Sequence, residues 1–516
     1  MISCQNCTTQ THFCPQNNNT KSKIVPLFQE TSPITAPVQQ EVADQNLESA
    51  AFIRFVEDIG LPKIFEALSD PRLSSRISYS LSSLCMWGFC TCVFRQGSKN
   101  AMQTSIESIV SAEQLQGIQH LLGIEGEGLA VPHSSSVDNV LSRIESKEFN
   151  NVFLELFDRM VARKFFYHHQ DVLLPYGSYQ IGTDGYWVHS YKEPHCTDDN
   201  GKNACPYCLP RVHNRGKPNE KTTWVHVMIT FVLICNGITL PLYVYPLKSN
   251  QIANEATQSE EAFKEECEIA AASAVLPLFR ERYPRTSFTF LGDALYAKRP
   301  FIKLLNQLKF DYIIVLKDGV QKNLAKRCDG LAKTDIYKNH YTSQETEQIQ
   351  GGTILRRSSW FNTVEMGEGI FTNVLRFEES ITKDSISKII YKGSWICSKK
   401  IFQNNCFKMV KRGRSRWDQE DFHNTCKNRG FDIAHDMARI NPNLCVVWKI
   451  LVFIAFFVTE LFRCTTLTQA LQGSRTLMKF AKDMLQQLIE RPWVMISASP
   501  ILKKAKVQFR FYFAFT

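Results

Sequence analysis

The chain opens without the basic start and apolar run of a secretory signal, so an intracellular protein is expected. It also lacks a convincing membrane span. The nearest approaches are residues 227–247 and 450–462. Asn236-Gly237, a strong two-residue hairpin signal between β-prone runs, breaks the first. The second is short and carries Glu460, as a buried core helix does. A disulfide framework is excluded too, although cysteine itself is plentiful: there are 17, an odd number, and many sit singly in apolar segments (Cys85, Cys235, Cys445). That is the pattern of reduced, buried thiols. With 44% hydrophobic and 21% charged residues the chain is not disordered, and 516 residues suffice for two or three domains. The formal net charge of +10 points to an acidic partner, nucleic acid before membrane.

Texture divides the chain. Residues 1–44 are rich in Asn, Thr, Gln and Pro and read as a disordered leader. Residues 45–170 follow helical spacing, as in Val137, Val140, Leu141 and Ile144 with Ser136 as N-cap, and predict an all-α domain that binds DNA or serves packing and dimerisation. From 171 to 320 strands take over: 178–191, a hairpin across 224–245, then 287–297 and 310–319, with helices at 260–283 and 300–308 between them. This is an α/β pattern with a mixed sheet. Residues 321–400 read as short strands, a β-rich insertion. The chain then turns helical through 490, and 491–516 form a tail.

Two acids interrupt strands that should be buried: Asp184 in "QIGTDGYWV" and Asp293 in "FTFLGDALYA". A carboxylate inside a core needs a base, a hydrogen-bond donor or a metal, although either Asp alone also fits a strand-end turn. A third acid, Glu420, lies in "SRWDQEDFHNTCKNR" (415–429), where helical spacing puts Arg416, Glu420, His423 and Lys427 on one stripe. Such a stripe is commonly a solvated helix face. The preceding run supplies Lys408, Lys411, Arg412 and Arg414, a density suited to phosphates. Three carboxylates gathered at one sheet end can hold two divalent cations, Mg2+ or Mn2+, for phosphodiester chemistry.

The order "IGTDG", "LGDALYA", "RWDQEDFHNTCKNR" resembles the DDE transposases of bacterial insertion sequences, in particular the group with the signature Tyr-x2-Arg-x3-Glu-x6-Lys. Arg416, Glu420 and Lys427 match that spacing. The resemblance implies an RNase H-like core, assigned here to 171–320 and 401–490, interrupted by a β-rich insertion. It implies metal-dependent cleavage of double-stranded DNA at transposon ends and transfer of the 3′-OH into target DNA, carried out by a cytoplasmic, nucleoid-associated homodimer with no membrane. Asp184, Asp293 and Glu420 would hold two Mg2+ ions. Arg416 and Lys427 would contact the DNA end, with Lys411, Arg412 and Arg414 on neighbouring phosphates and Trp417 stacking on a base. One position departs from the signature: Gly413 stands where the Tyr belongs. That departure keeps open an inactive, transposase-derived DNA-binding protein, and a simple RNase H-like nuclease is a third reading.

A separate cluster follows the first Asp. In "PHCTDDNGKNACPYCLPRVH", Cys196, Cys205, Cys208 and His213 form a set suited to a structural Zn2+ or to free thiols, with His195 as a substitute ligand. Cys4, Cys7, His12 and Cys14 make a weaker version near the start.

Overall fold

The computed structural model describes residues 48–511, apart from 125–129, 169–176, 198–199, 215, 236–237, 249–259, 318, 320, 385, 439–440 and 505–508. The leader at 1–44, the group of Cys4, Cys7, His12 and Cys14, and the Asn236-Gly237 turn therefore lie outside the described residues.

Ten strands form one mixed sheet: β1 Tyr179–Tyr191, β2 Leu209–His213, β3 Lys221–Cys235, β4 Ile238–Pro246, β5 Phe288–Gly292, β6 Asp311–Val315, β7 Thr342–Ile349, β8 Gly352–Gly367, β9 Ile370–Lys383 and β10 Ile386–Cys397. Their order is β2-β3-β1-β5-β6-β10-β9-β8-β7, with β4 beside the second half of β3. The β3–β4 hairpin forms as expected, closing at Cys235 opposite Ile238. β1 runs antiparallel to β3 but parallel to β5, and β5 is parallel to β6. Parallel neighbours need a crossover. Here these are the helices Glu260–Arg282 and Arg299–Gln307.

The 321–400 region differs from expectation in two ways. Residues Lys322–Ala332 and Asp335–His340 are helical, and the strands that follow are long hairpins, not short pieces. Nor do they form a sheet of their own, because Trp395, Ile396 and Cys397 of β10 pair with β6 and extend the core sheet.

Four further helices matter below: α1 Leu81–Val93, α2 Cys406–Arg414, α3 Trp417–Asn428 and α4 Pro442–Arg463. The apolar α4 starts cleanly, since the Asn441 side chain accepts from the Leu444 N–H and Pro442 fills the first turn. It is the one described helix long and apolar enough to cross a membrane, but 94% of its apolar window is buried inside the protein. Its charges are matched: Lys449 Nζ donates to the Ile433 and His435 carbonyls, and Glu460 pairs with Arg463 at 2.6 Å. α4 packs on α1, on helix Ser146–Ala162 and on β4, so the N-terminal helices wrap the same core as the sheet. Within them, His133 and not Ser136 caps helix Ser134–Leu141, its ring accepting from the Ser135 N–H.

Candidate active site

The parallel register of β1 and β5 brings two of the carboxylates together. Ile181 lies opposite Phe290 and Gly182 opposite Leu291, so continuing the ladder by two residues sets Asp184 beside Asp293 on neighbouring strands. Strands in a sheet are about 4.8 Å apart, and side chains two residues along point to the same face. The ladder and the strand both stop short of Asp293: its carboxylate accepts from the Ala294 N–H at 2.6 Å and caps a 3-10 turn, Ala294–Tyr296. The strand expected to reach 297 ends at Gly292 for this reason.

Helix α3 delivers the third. It lies on β1 at Gly182, where a Cβ would come within 2.6 Å of both Gln419 Oε1 and Ile234 Cδ1. Only glycine admits the helix this closely. Gln419 is fully buried and donates from Nε2 to the Thr230 carbonyl at 3.2 Å, and Thr230 is the residue paired with Asp184 across the β1–β3 ladder. His423, whose place on the polar stripe has no sequence explanation, completes this joint. Its Nε2 lies 2.8 Å from Thr230 Oγ1 and its Nδ1 lies 3.7 Å from Asp184 Oδ2. Glu420 precedes His423 by three residues, about 4.5 Å along the helix axis on the same face. Further along, Lys427 Nζ sits 5.5 Å from the ring of Tyr186, two residues after Asp184.

Each of the three acids faces a base. Asp184 has His423, Asp293 has Lys317 Nζ at 3.5 Å, and Glu420 has Arg416 at 2.8 Å. All three are part-exposed, at 22%, 32% and 36%. Among the described residues the three carboxylates do not form a group of donors within 4.8 Å of one another. A divalent ion held by all three would have to draw Glu420 away from Arg416.

The basic run divides into two kinds of residue. Arg412 is a correction: it is 5% exposed and donates to Ser178 Oγ at 2.8 Å, Thr289 Oγ1 at 2.8 Å and Gln180 Oε1 at 3.2 Å, tying the start of β1 to the start of β5. A guanidinium spent on three buried acceptors is not presented to phosphates. Arg416 is also buried, turned toward Glu420. Lys411, Lys427 and Arg414 are exposed, Arg414 bridging to Glu379 at 3.2 Å. Trp417 is 57% exposed with the Arg416 guanidinium 5.4 Å from its ring, so it is a surface aromatic and not part of the core.

Gly413 has a packing cause. A Cβ there would lie 2.6 Å from Nε1 and 2.7 Å from Cε2 of Trp395, a core residue of β10. The indole fills the space a side chain at 413 would take.

No protein-family model matches the chain, and no curated protein matches it.

One carboxylate escapes the motif reading. Glu268, 1% exposed on helix Glu260–Arg282, accepts from Tyr296 Oη at 3.3 Å, and its Oε1 would lie 3.0 Å from a Cβ at Gly185. It thus sits beneath both Asp184 and the Asp293 turn. A signal existed: Glu268 shares a helix face with the buried Ala271, Ala272 and Val275.

At the other end of β1 the described residues hold two groups of donors able to bind a metal ion: Cys205, Cys208 and His226, and His195, Cys196 and Cys205. His213 belongs to neither. It lies at the outer end of β2 with Nε2 2.8 Å from Thr223 Oγ1. His226 takes the place expected of it, and sequence spacing hides this because His226 reaches the site across the β2–β3 pairing.

Proposed function

We propose that the chain is a DDE transposase, cleaving double-stranded DNA at transposon ends and joining the 3′-OH to target DNA. The observation that carries the reading is the placement of Asp184 on β1 and of Asp293 just past the end of its parallel neighbour β5, with Glu420 on a helix docked against β1. The strand order β4-β3-β1-β5-β6, with β3 alone antiparallel to β1 within the central trio, is the order expected of an RNase H-like core. β7 to β10 fall where the family carries its insertion.

The donor set is three carboxylates, which suits hard, oxygen-seeking Mg2+ or Mn2+. When bound, such ions polarise the phosphodiester, activating the attacking oxygen and stabilising the leaving one. The chain's own residues do the rest. Asp184 and Asp293 hold fixed positions at the sheet end, because the register and the 3-10 turn set them. Glu420, now paired with Arg416 at 2.8 Å, would join Asp184 and Asp293 in holding the ions, and the Arg416 guanidinium would then be available to a phosphate oxygen of the DNA end. Lys427, Lys411 and Arg414 track the backbone, and Trp417 offers a flat face to an unpaired base. Two copies pair the two ends in the cytoplasm.

Asp293→Asn tests the assignment. End cleavage in Mg2+ should disappear while DNA binding persists; undiminished cleavage would remove Asp293 from the chemistry and the transposase reading with it.

A further inference from the structure

The Cys and His donors beside β1 are set apart from the carboxylates: His226 lies four residues along β3 from Thr230, the partner of Asp184, about 13 Å at ~3.3 Å per residue. Cys205, Cys208 and His226 are all buried to within 1%. His226 Nε2 lies 3.4 Å from Cys205 Sγ and 3.2 Å from Cys208 Sγ. A tetrahedral ion with Zn–S near 2.3 Å and Zn–N near 2.0 Å spaces its sulfur and nitrogen donors roughly 3.5 Å apart. Three vertices of such a tetrahedron are therefore in place.

The fourth is His195. Both of its ring nitrogens are buried, and the neighbour that the ring meets is the Cys205 thiol. One of them lies within 4.8 Å of Cys205 Sγ, and its ring centre is 5.2 Å from that of His226. The His195 backbone N–H already points at Cys208 Sγ, at 3.0 Å, the kind of donor that supports a thiolate. Cys196, half-buried like His195, is within the same reach of Cys205 and is the competing fourth ligand. Behind the site, His226 Nδ1 faces Cys445 Sγ of α4 at 3.9 Å, and Asp436 joins Cys445 to Tyr191 Oη at 3.1 Å. The ring that would ligate with Nε2 is thus oriented from its other nitrogen.

We infer that Cys205, Cys208, His226 and His195 form a structural zinc site, independent of the DNA chemistry. Between Tyr191 and Leu209 the described chain has turns and one isolated bridge, Thr197 with Asn203, and neither helix nor strand. A bound ion clamps this connection to β3 and, through Cys445, to α4.

The test is metal content of the full chain purified without chelator. Mass spectrometry should find about one zinc per chain. His195→Gln should lower zinc affinity at least tenfold, and His213→Ala should leave it unchanged. If Cys208→Ser fails to fold, cobalt substitution of the wild type serves instead, with visible bands of tetrahedral intensity and charge transfer from two thiolates expected. A folded wild type without zinc overturns the site. Retention in His195→Gln with loss in Cys196→Ser overturns its fourth ligand. Neither result depends on whether the chain cuts DNA.

Discussion

Replacing Gly413 by alanine separates a packing requirement from a lost functional residue. Gly413 lies inside helix α2, where glycine costs about 1 kcal/mol relative to alanine, so propensity alone favours the substitution. Packing opposes it. The new Cβ would stand 2.6 Å from Nε1 and 2.7 Å from Cε2 of Trp395, roughly 1 Å inside the ordinary 3.5–4.0 Å contact. Trp395 is 2% exposed and its backbone is paired to β6, so it has little room to withdraw. Overpacking of this kind costs about 1–3 kcal/mol, which leaves a net loss of up to about 2 kcal/mol after the propensity gain. In a Trp395→Ala background the obstacle is gone, and Gly413→Ala should instead stabilise by about 1 kcal/mol. The sign reversal is a coupling energy of about 1–3 kcal/mol. Urea unfolding of the four proteins in this cycle measures it. The reasoning fails if Gly413→Ala stabilises the wild type, or costs the same in both backgrounds. Gly413→Tyr, which supplies the family's residue, should destabilise further and should not improve end cleavage.

Other substitutions probe the joint and the basic run. His423→Ala should separate α3 from Asp184 and lower end cleavage on the order of a hundredfold, as misplacement by about 1 Å does; cleavage within threefold of wild type would show that Gln419 and Thr230 hold the helix alone. Arg412→Ala removes the donor shared by buried Gln180, Ser178 and Thr289, the last two keeping their own 2.8 Å bond, and should cost about 1–3 kcal/mol in urea unfolding without changing the salt dependence of DNA binding. Lys411→Ala should do the reverse, leaving stability alone and reducing the salt slope by about 1; equal slopes for both variants would return Arg412 to the DNA-facing set. Burial pushes the thiols of Cys85, Cys90, Cys92, Cys235 and Cys397 well above the ordinary value of 9.0. The folded chain keeps these protons where the unfolded chain loses them, so their stabilisation is full below pH 9 and shrinks above it, by about 1.4 kcal/mol per thiol per pH unit. The urea midpoint should fall steeply between pH 9 and 11, and an unchanged midpoint would contradict reduced, buried cysteines.

Local pattern made much of this molecule readable. Asp184 and Asp293 stood out because each broke an apolar strand, and the 224–245 hairpin announced itself by alternation and a turn signal. What escaped was decided across the sheet. Pairing of Trp395 with Val315 joins residues 80 positions apart, and no periodicity within 321–400 reports it; yet that pairing is what puts an indole over Gly413. Arg412 looked like its basic neighbours because helical spacing does not say which face meets Ser178 and Thr289. His226 was hidden inside an unbroken β-prone run, where a histidine reads as one more alternating residue. The tight C-x2-C pair gave the place of the cluster, and the fold supplied its partners.

The central claim is that the acids on β1, β5 and α3 perform strand transfer. The direct measurement supplies the purified chain with a 3′-OH end cut from the DNA flanking its reading frame, a supercoiled target and Mg2+. The account predicts covalently joined products that vanish with chelator and with Asp184→Asn, Asp293→Asn or Glu420→Gln. Hydrolysis products alone would indicate a nuclease, and binding with no reaction in either Mg2+ or Mn2+ would indicate a DNA-binding protein; either result would contradict it.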